Sequence, residues 1–316
     1  MDLSIVVPLF NEEESLPELS AWIERVMKAQ KLEYELILVD DGSNDGSWQV
    51  IESLRKSSAA IRGVKFRRNY GKSAALQTGF GLATGEVVFT MDADLQDSPE
   101  ELPEMRRMIL EDGFDVVSGW KKKRFDPFLR KRVPTKVFNW AARKVSGIHL
   151  HDFNCGLKAY RNEVVKSVEV YGDMHRYIPV LAKGKGFGKI AEKVVQHQER
   201  KYGVTKFGMD RFIKGFLDLL TVAFLTRFGK SPMHLFGTLG SLMFVLGFGT
   251  ALYMGIDKVL ALVRGIPQGL VADSAFFHIS LTSMILGTLL FIGGFLGELI
   301  SRTAPDRNSY EIEKEI

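Results

Sequence analysis

Two stretches of this 316-residue chain, Met233 to Gly255 and Ser274 to Gly297, each run for more than twenty residues without a charged side chain. A helix rises about 1.5 Å per residue, so either stretch can cross a hydrocarbon layer of roughly 30 Å. Core helices of soluble proteins seldom go that far without one charge. Both are expected to be transmembrane helices. The overall hydrophobic fraction of 46% hides this, because almost all charge lies before Lys230. Arg200, Lys201, Lys206, Arg211, Lys214, Arg227 and Lys230 precede the first span, whereas the connector has only Lys258 and Arg264 as basic residues. That asymmetry puts both termini on the cytoplasmic side of an inner membrane. The opening Met1, Asp2, Leu3 leads into a short apolar run closed by Glu12 and Glu13, which is not a signal peptide. The single cysteine, Cys155, excludes an internal disulfide, and a net charge of +4 gives no reason to expect nucleic acid.

Before the spans, short apolar runs alternate with amphipathic ones. Leu3 to Phe10, Tyr34 to Asp40, Val64 to Phe66, Glu86 to Asp92 and Asp115 to Ser118 read as strands. Glu12 to Ala29, Ser47 to Lys56, Lys72 to Ala83 and Pro99 to Glu111 read as the helices between them. This order predicts an α/β domain, doubly wound around a mostly parallel sheet, with ligands at the carboxyl ends of the strands. Polar residues do collect there: Asn11 and Glu12, Asp40 and Asp41, Arg68 and Asn69, then Asp92 and Asp94. Expected boundaries are 1–208 for this domain, 209–231 for an interfacial helix, 232–300 for the two spans with their connector, and 301–316 for a mobile cytoplasmic tail. Gly237 with Ser241, and Gly247 with Thr250 and Ala251, have spacings that permit close helix contact and an oligomer.

Gly71, Lys72 and Ser73 imitate the end of a phosphate-binding P-loop, but Phe66 stands where its first glycine belongs. Asp41, Ser43, Asp45, Gly46 and Glu52 imitate a calcium loop, but a strand and not a helix leads into them. Asp92, Ala93, Asp94, Leu95, Gln96 is the stronger signal. Two carboxylates at alternate positions and a side-chain carbonyl offer hard oxygen ligands to Mg2+ or Mn2+ and leave coordination sites for a diphosphate. Asp97, ahead of Ser98 and Pro99, reads as a helix cap. Downstream, Lys121, Lys122, Lys123, Arg124, Arg130, Lys131, Arg132 and Lys136 form a basic segment suited to phosphate. Val137 to Val145 and Asp210 to Phe228 follow as amphipathic stretches of the kind that lie at a bilayer interface.

Pro8 to Glu12, Asp40 to Asp45 and Asp92 to Gln96 resemble the successive motifs of the inverting family 2 glycosyltransferases, which have the GT-A fold. Asn69, Gly71, Lys72, Ala75 and Gly79, the stretch His151 to Arg161, and the two spans resemble the bacterial polyprenyl-phosphate members of that family. The resemblance implies transfer of a hexose from a nucleotide-sugar to a polyisoprenyl phosphate, with glucose, a UDP-sugar and undecaprenyl phosphate as the expected substrates. It also implies roles. Pro8, Phe10 and Glu12 frame the base and ribose, Asp41 binds the base, and Lys72 belongs to the donor site. Asp94 and Gln96 hold the metal, with Asp92 near the sugar or diphosphate. Arg200 and Lys206 clamp the diphosphate, and Asp152 is catalytic. Phe10 departs from the tyrosine common in the family.

A phosphate monoester has its second pKa at about 6, so at neutral pH it is already a competent nucleophile. Asp152 is therefore expected to orient the acceptor or a sugar hydroxyl more than to remove a proton. Lys121, Arg124, Arg130 and Lys136 are expected around the acceptor phosphate, with Thr135 donating a hydrogen bond. Competing readings are a processive polysaccharide synthase of the same fold and a non-catalytic membrane sensor of nucleotide or calcium.

Overall fold

The computed structural model describes residues 1–122, 139, 142–144, 146–172, 174–198, 201, 232–267, 269–303 and 312–315. The chain divides into two compact units, Met1–Ala223 with Arg307–Ile316, and Phe224–Asp306. Described strands of the first unit are β1 Leu3–Leu9, β2 Tyr34–Asp40, β3 Ile61–Phe66, β4 Val87–Thr90, β5 Val116–Trp120, β6 Lys158–Arg161, β7 Ile190–Val194 and β8 Ile312–Glu315. Its helices are α1 Leu16–Gln30, α2 Ser47–Ser57, α3 Lys72–Leu82, α4 Leu102–Leu110, α5 Asn162–Ser167 and α6 Ile178–Gly184.

The strands form one sheet in the order β7, β5, β6, β4, β1, β2, β3, β8. The pairs β1–β2, β1–β4, β2–β3 and β5–β7 are parallel, while β6 runs antiparallel to β4 and β5, and β8 antiparallel to β3. A parallel strand is covered on both faces, which explains the unbroken apolar runs of β1 and β2. Leu3, Ile5 and Val7 join Leu19, Ile23 and Met27 of α1 in one buried cluster. Val6, on the other face, lies against α3, where a Cβ added at Gly79 would come within 2.2 Å of its Cγ1. Each such fully buried aliphatic side chain contributes about 2 kcal/mol of transfer free energy. The result is the mostly parallel GT-A sheet expected.

β6 and β7 are additions to the expected strands; their sequences, KAYR and IAEKV, carry charge and give little apolar signal. The tail also differs from expectation. Residues 312–315 are a strand, register-paired through Val64 with Glu315 and Lys65 with Lys314. Arg62 ties this edge together, meeting Glu35 at 3.3 Å and Glu315 at 3.7 Å.

In the second unit, α7 Pro232–Val263 and α8 Ala275–Thr303 pack as a hairpin. Both are long and apolar enough to cross a membrane, and only 17% of each apolar window is buried in the protein, unlike a soluble core helix. The helices touch through glycine. A Cβ at Gly240 would lie 2.5 Å from Gly287 O, and one at Gly247 would lie 2.6 Å from Ser280 O. Gly294 similarly packs on Phe236 and Gly237. Of the glycines read from the sequence as permitting close helix contact, Gly247 meets α8 and Gly237 meets Gly294 within this chain.

Away from the strand ends that hold the site, Glu35 is 3% exposed and accepts hydrogen bonds from Ser4 Oγ at 2.6 Å and from Thr84 N and Thr84 Oγ1 at 2.7 Å. Burial pushes its carboxyl up, but the donors from Ser4 and Thr84, with Arg62, hold it below the ordinary glutamate range. A depressed folded-state value stabilises the protein above the unfolded pKa, about 4.3, and that stabilisation is lost as pH falls through the folded value. Glu35→Gln should therefore lower stability at pH 7 by about 1–3 kcal/mol. The difference from wild type should shrink as thermal unfolding is followed from pH 7 towards pH 3.

Candidate active site

Three consecutive strand ends are sewn together by side chains that satisfy backbone amides. Asn11, just after β1, takes a φ of 57°, a left-handed conformation asparagine tolerates. Its N–H donates to Ser43 Oγ at 2.8 Å and its Oδ1 accepts from Asn44 N at 2.9 Å. Glu12 N donates to Ser47 Oγ at 2.9 Å, and Gly46 N donates to Glu13 Oε2 at 2.6 Å. The second loop then grips the third: Asp41 Oδ1 accepts from Tyr70 N at 2.7 Å and Oδ2 from Gly71 N at 2.9 Å. Gly42 makes this approach possible, because at φ +75° a Cβ there would sit 2.6 Å from the backbone carbon of Arg68. Burial pushes the Asp41 carboxyl up to about 6, against the pull of those two amides.

The fourth strand end carries the charge. Lys72, the first residue of α3, forms an ion pair with Asp92. Burial works against the ionised Asp92 carboxyl, yet Lys72 and Lys121 hold it well below the usual carboxylate range. Two residues on, Asp94 is 8% exposed and its Oδ1 accepts from Gln96 N at 3.2 Å. The intervening Leu95 adopts a φ of 59°, costly for a branched side chain and compensated by its burial at 4% exposure. Asp97, 1% exposed, meets Lys121 Nζ at 2.7 Å. Burial alone would lower the Lys121 ammonium, but Asp97 raises it and keeps it charged. Asp97 Oδ2 has no hydrogen-bond partner among the described residues.

The loop from His151 to Leu157 closes the site from the β6 side. Asp152 is 2% exposed; its Oδ1 accepts from Asn154 N at 3.0 Å, and its own N–H donates to Glu192 Oε1 at 3.0 Å. Asn139 Nδ2 donates to His151 O at 2.7 Å. Gly156 faces Asp92, where an added Cβ would stand 2.4 Å from Oδ2. Beneath, the buried Lys158 ammonium donates to Phe153 O at 3.3 Å and to Cys155 O. Its pKa is lowered by burial. Burial likewise pushes the Cys155 thiol up to about 12, leaving it inert.

Among the described residues no three histidine, cysteine or acidic side chains converge as a metal cage. Asp94 and Gln96 nonetheless fit an ion of the Mg2+ or Mn2+ type. Such ions are commonly held by one or two carboxylates, with waters and substrate phosphates completing the shell. Gln96 Nε2 is turned to Gln198 O at 3.4 Å, which leaves its carbonyl as the remaining ligand atom.

The model of "Glycosyl transferase family 2" matches residues 4–168, the segment that contains all four of these strand ends. The chain belongs to glycosyltransferase family 2. It is 34% identical over 305 residues to the dodecaprenyl-phosphate galacturonate synthase of Rhizobium johnstonii, covering 96% of this chain and 88% of that one. It is 36% identical over 319 residues to the undecaprenyl-phosphate 4-deoxy-4-formamido-L-arabinose transferase of Proteus mirabilis, covering 99% and 93%. Among solved structures, glucosyl-3-phosphoglycerate synthase of Mycobacterium tuberculosis, in complex with Mn2+ and UDP-glucose, aligns with a TM-score of 0.53 at 20% identity, over 71% of this chain and 78% of that one. That likeness is one of fold. The protein is therefore a GT-A glycosyltransferase whose curated relatives are polyprenyl-phosphate sugar transferases.

The structure brings together Phe10, Glu12, Asp41, Asp92, Asp94, Gln96 and Asp152 in loops at the β1–β2–β3 and β4–β6 ends of the sheet, with Pro8 near the end of β1 and Lys72 at the head of α3. Lys121 departs from its expected role at the acceptor phosphate: it is 11% exposed and turned inward to Asp97. Asp97 in turn is no helix cap, since Ser98 Oγ accepts from Glu100 N and takes that position. Arg124, Arg130, Thr135, Lys136, Arg200 and Lys206 lie outside the described residues, as do Val137, Phe138, Trp140, Ala141 and Val145 and the stretch 210–228. The chain approaches residue 199 beside the Asp92–Gln96 loop, where Gln198 N donates to Gln96 O at 2.9 Å. Sequence reasoning missed Lys158 and the Asp97–Lys121 pair because charge patterning marks such residues as solvated.

Gly156→Ala should separate activity from stability. The displaced Asp92 carboxylate can move, so the melting temperature should fall by only a few degrees. The sugar-transfer rate should drop on the order of 100-fold, as expected for misplacement of about 1 Å at a reacting centre. Gly42→Ala strikes backbone instead and should lower both.

Proposed function

We propose that this enzyme transfers one sugar from a nucleoside-diphosphate sugar to a polyisoprenyl phosphate at the cytoplasmic face of a membrane, inverting the anomeric centre. The observation that carries this reading is the likeness to polyprenyl-phosphate sugar transferases at 34–36% identity across 96–99% of the chain, including both apolar helices. Catalytic machinery lies within 1–208, the two apolar helices within 232–300 cross the membrane with a short extracytoplasmic connector between them, and 301–316 is cytoplasmic, with residues 312–315 on the catalytic sheet.

In the reaction an acceptor phosphate oxygen bonds to the anomeric carbon as the bond from that carbon to the diphosphate oxygen breaks. The nucleoside diphosphate leaves with the electron pair. A divalent ion held by Asp94 and Gln96 supplies charge neutralisation for that leaving group. Pro8, Phe10, Glu12 and Asp41 form the nucleotide side. Asp41 does so through the loop it grips as well as through its own carboxylate. Lys72 balances Asp92 beside the sugar, and its ammonium can turn to the diphosphate once donor arrives. Arg200 and Lys206 serve the diphosphate, and Arg124, Arg130, Thr135 and Lys136 the acceptor phosphate. Asp152 shapes the loop that faces Asp92 and orients the acceptor. Its carboxylate already accepts a hydrogen bond from Asn154 N, which suits orientation better than proton removal.

Purified protein with Mg2+ or Mn2+, undecaprenyl phosphate and a panel of UDP-sugars tests the proposal. UDP-glucose, UDP-galacturonate and UDP-4-deoxy-4-formamido-L-arabinose belong in it, since the relatives' sugars stand beside the glucose expected from the sequence. One donor should give an inverted lipid-linked product, chelation by EDTA should stop turnover, and no transfer from any donor would refute the reading. Asp152→Asn should keep donor affinity while turnover falls, without a new titration at about pH 6.

A further inference from the structure

His175 stands about 100 residues from Lys72 in sequence and is attached to α3 by two contacts beside it. It lies in the helical turn Met174–Tyr177, anchored by the buried Met174 and Tyr177. His175 N donates to Ser73 Oγ at 3.1 Å, and the Nδ1 of the same imidazole lies 3.2 Å from that oxygen. Ser73 follows Lys72, the partner of Asp92. Ser73 Oγ, already an acceptor from the backbone, has its hydroxyl proton to donate to Nδ1. That assignment leaves the proton of a neutral imidazole on Nε2, which makes no hydrogen bond among the described residues.

Charges around the ring favour that neutral form. Burial first, then the cations Lys72, Arg176 and Lys158, push His175 well below the ordinary histidine value, and Asp92 opposes them only in part. A neutral N–H donor, partly buried and pinned at its other nitrogen, suits an uncharged hydroxyl.

We propose that His175 is a donor-sugar-binding residue whose Nε2 proton hydrogen-bonds a hydroxyl of the sugar held beside Asp92. This rests on the proposed donor site, and it adds a contact that reads the sugar and not the nucleotide.

Calorimetric titration of the full-length protein in detergent with Mn2+ tests it, using UDP alone and each of the three UDP-sugars above. His175→Ala should leave UDP affinity unchanged and weaken the accepted UDP-sugar about tenfold. His175→Gln, whose side-chain amide can reach the Nε2 position, should recover part of that loss; His175→Asn, which reaches only the Nδ1 position, should not. Ser73→Ala should give a smaller, equally selective loss. Equal weakening of UDP and UDP-sugar, or no weakening, overturns the inference while leaving the proposed function intact. Wild-type protein that binds none of the UDP-sugars overturns the proposed donor site, and this inference with it. Should His175→Ala fail to fold, the contrast between the Gln and Asn variants decides.

Discussion

Asp41 gives both carboxylate oxygens to backbone amides of a neighbouring loop, and the donor side of the site takes its shape from that grip. At the carboxyl ends of parallel strands the chain leaves the sheet with amide groups that have no ladder partner. Here they are met loop by loop, by Ser43 and Ser47 for the first strand end and by Asp41 for the third. Each loop thus braces its neighbour, so the position of Lys72 at the head of α3 is set from the end of the adjacent strand β2, at Asp41. The cost is a carboxylate whose burial pushes it up to about 6, tolerated because two amides stabilise its ionised form.

From Lys72 onward the bracing is ionic. Lys72 faces Asp92, Lys121 faces Asp97, and Lys193 joins Glu101 to β7, with Glu104 at 2.9 Å from the same ammonium. Lys121 and Asp97 lie in a poorly solvated region, so removal of either would leave its partner buried and uncompensated. A fixed row of this kind is also a medium prepared for a substrate that brings its own negative charge, since few dipoles need to turn when a diphosphate arrives.

Much of this was legible in the sequence. Unbroken apolar runs such as Ile5 to Val7 and Leu36 to Val39 mark strands covered on both faces, and acidic residues at their ends mark the ligand edge. Spans declare themselves by length and lack of charge. What the sequence concealed were residues whose chemistry contradicts their type. Lys121 sits at the start of a basic run and looks solvated, yet points into the protein because Asp97 is there. Lys158 is a lysine within a strand that hydrogen-bonds carbonyls and, among the described residues, meets no carboxylate at hydrogen-bond distance. β6 and β7 borrow their place from β4 and β5 and carry no periodic signal of their own. His175 has meaning only beside Ser73, and no local pattern announces that pairing.

β8 closes the β3 edge of the sheet with residues that follow both apolar helices in the chain. Order of synthesis then matters. As the polypeptide leaves the ribosome, β3 emerges early, with a row of unpaired amides and carbonyls on its outer side, and waits while more than two hundred residues, including both apolar helices, are made. An open edge is a template for pairing with other chains. The nascent protein must keep that edge shielded until β8 is released, so chaperone demand during biogenesis should be set by this edge as much as by the apolar helices themselves.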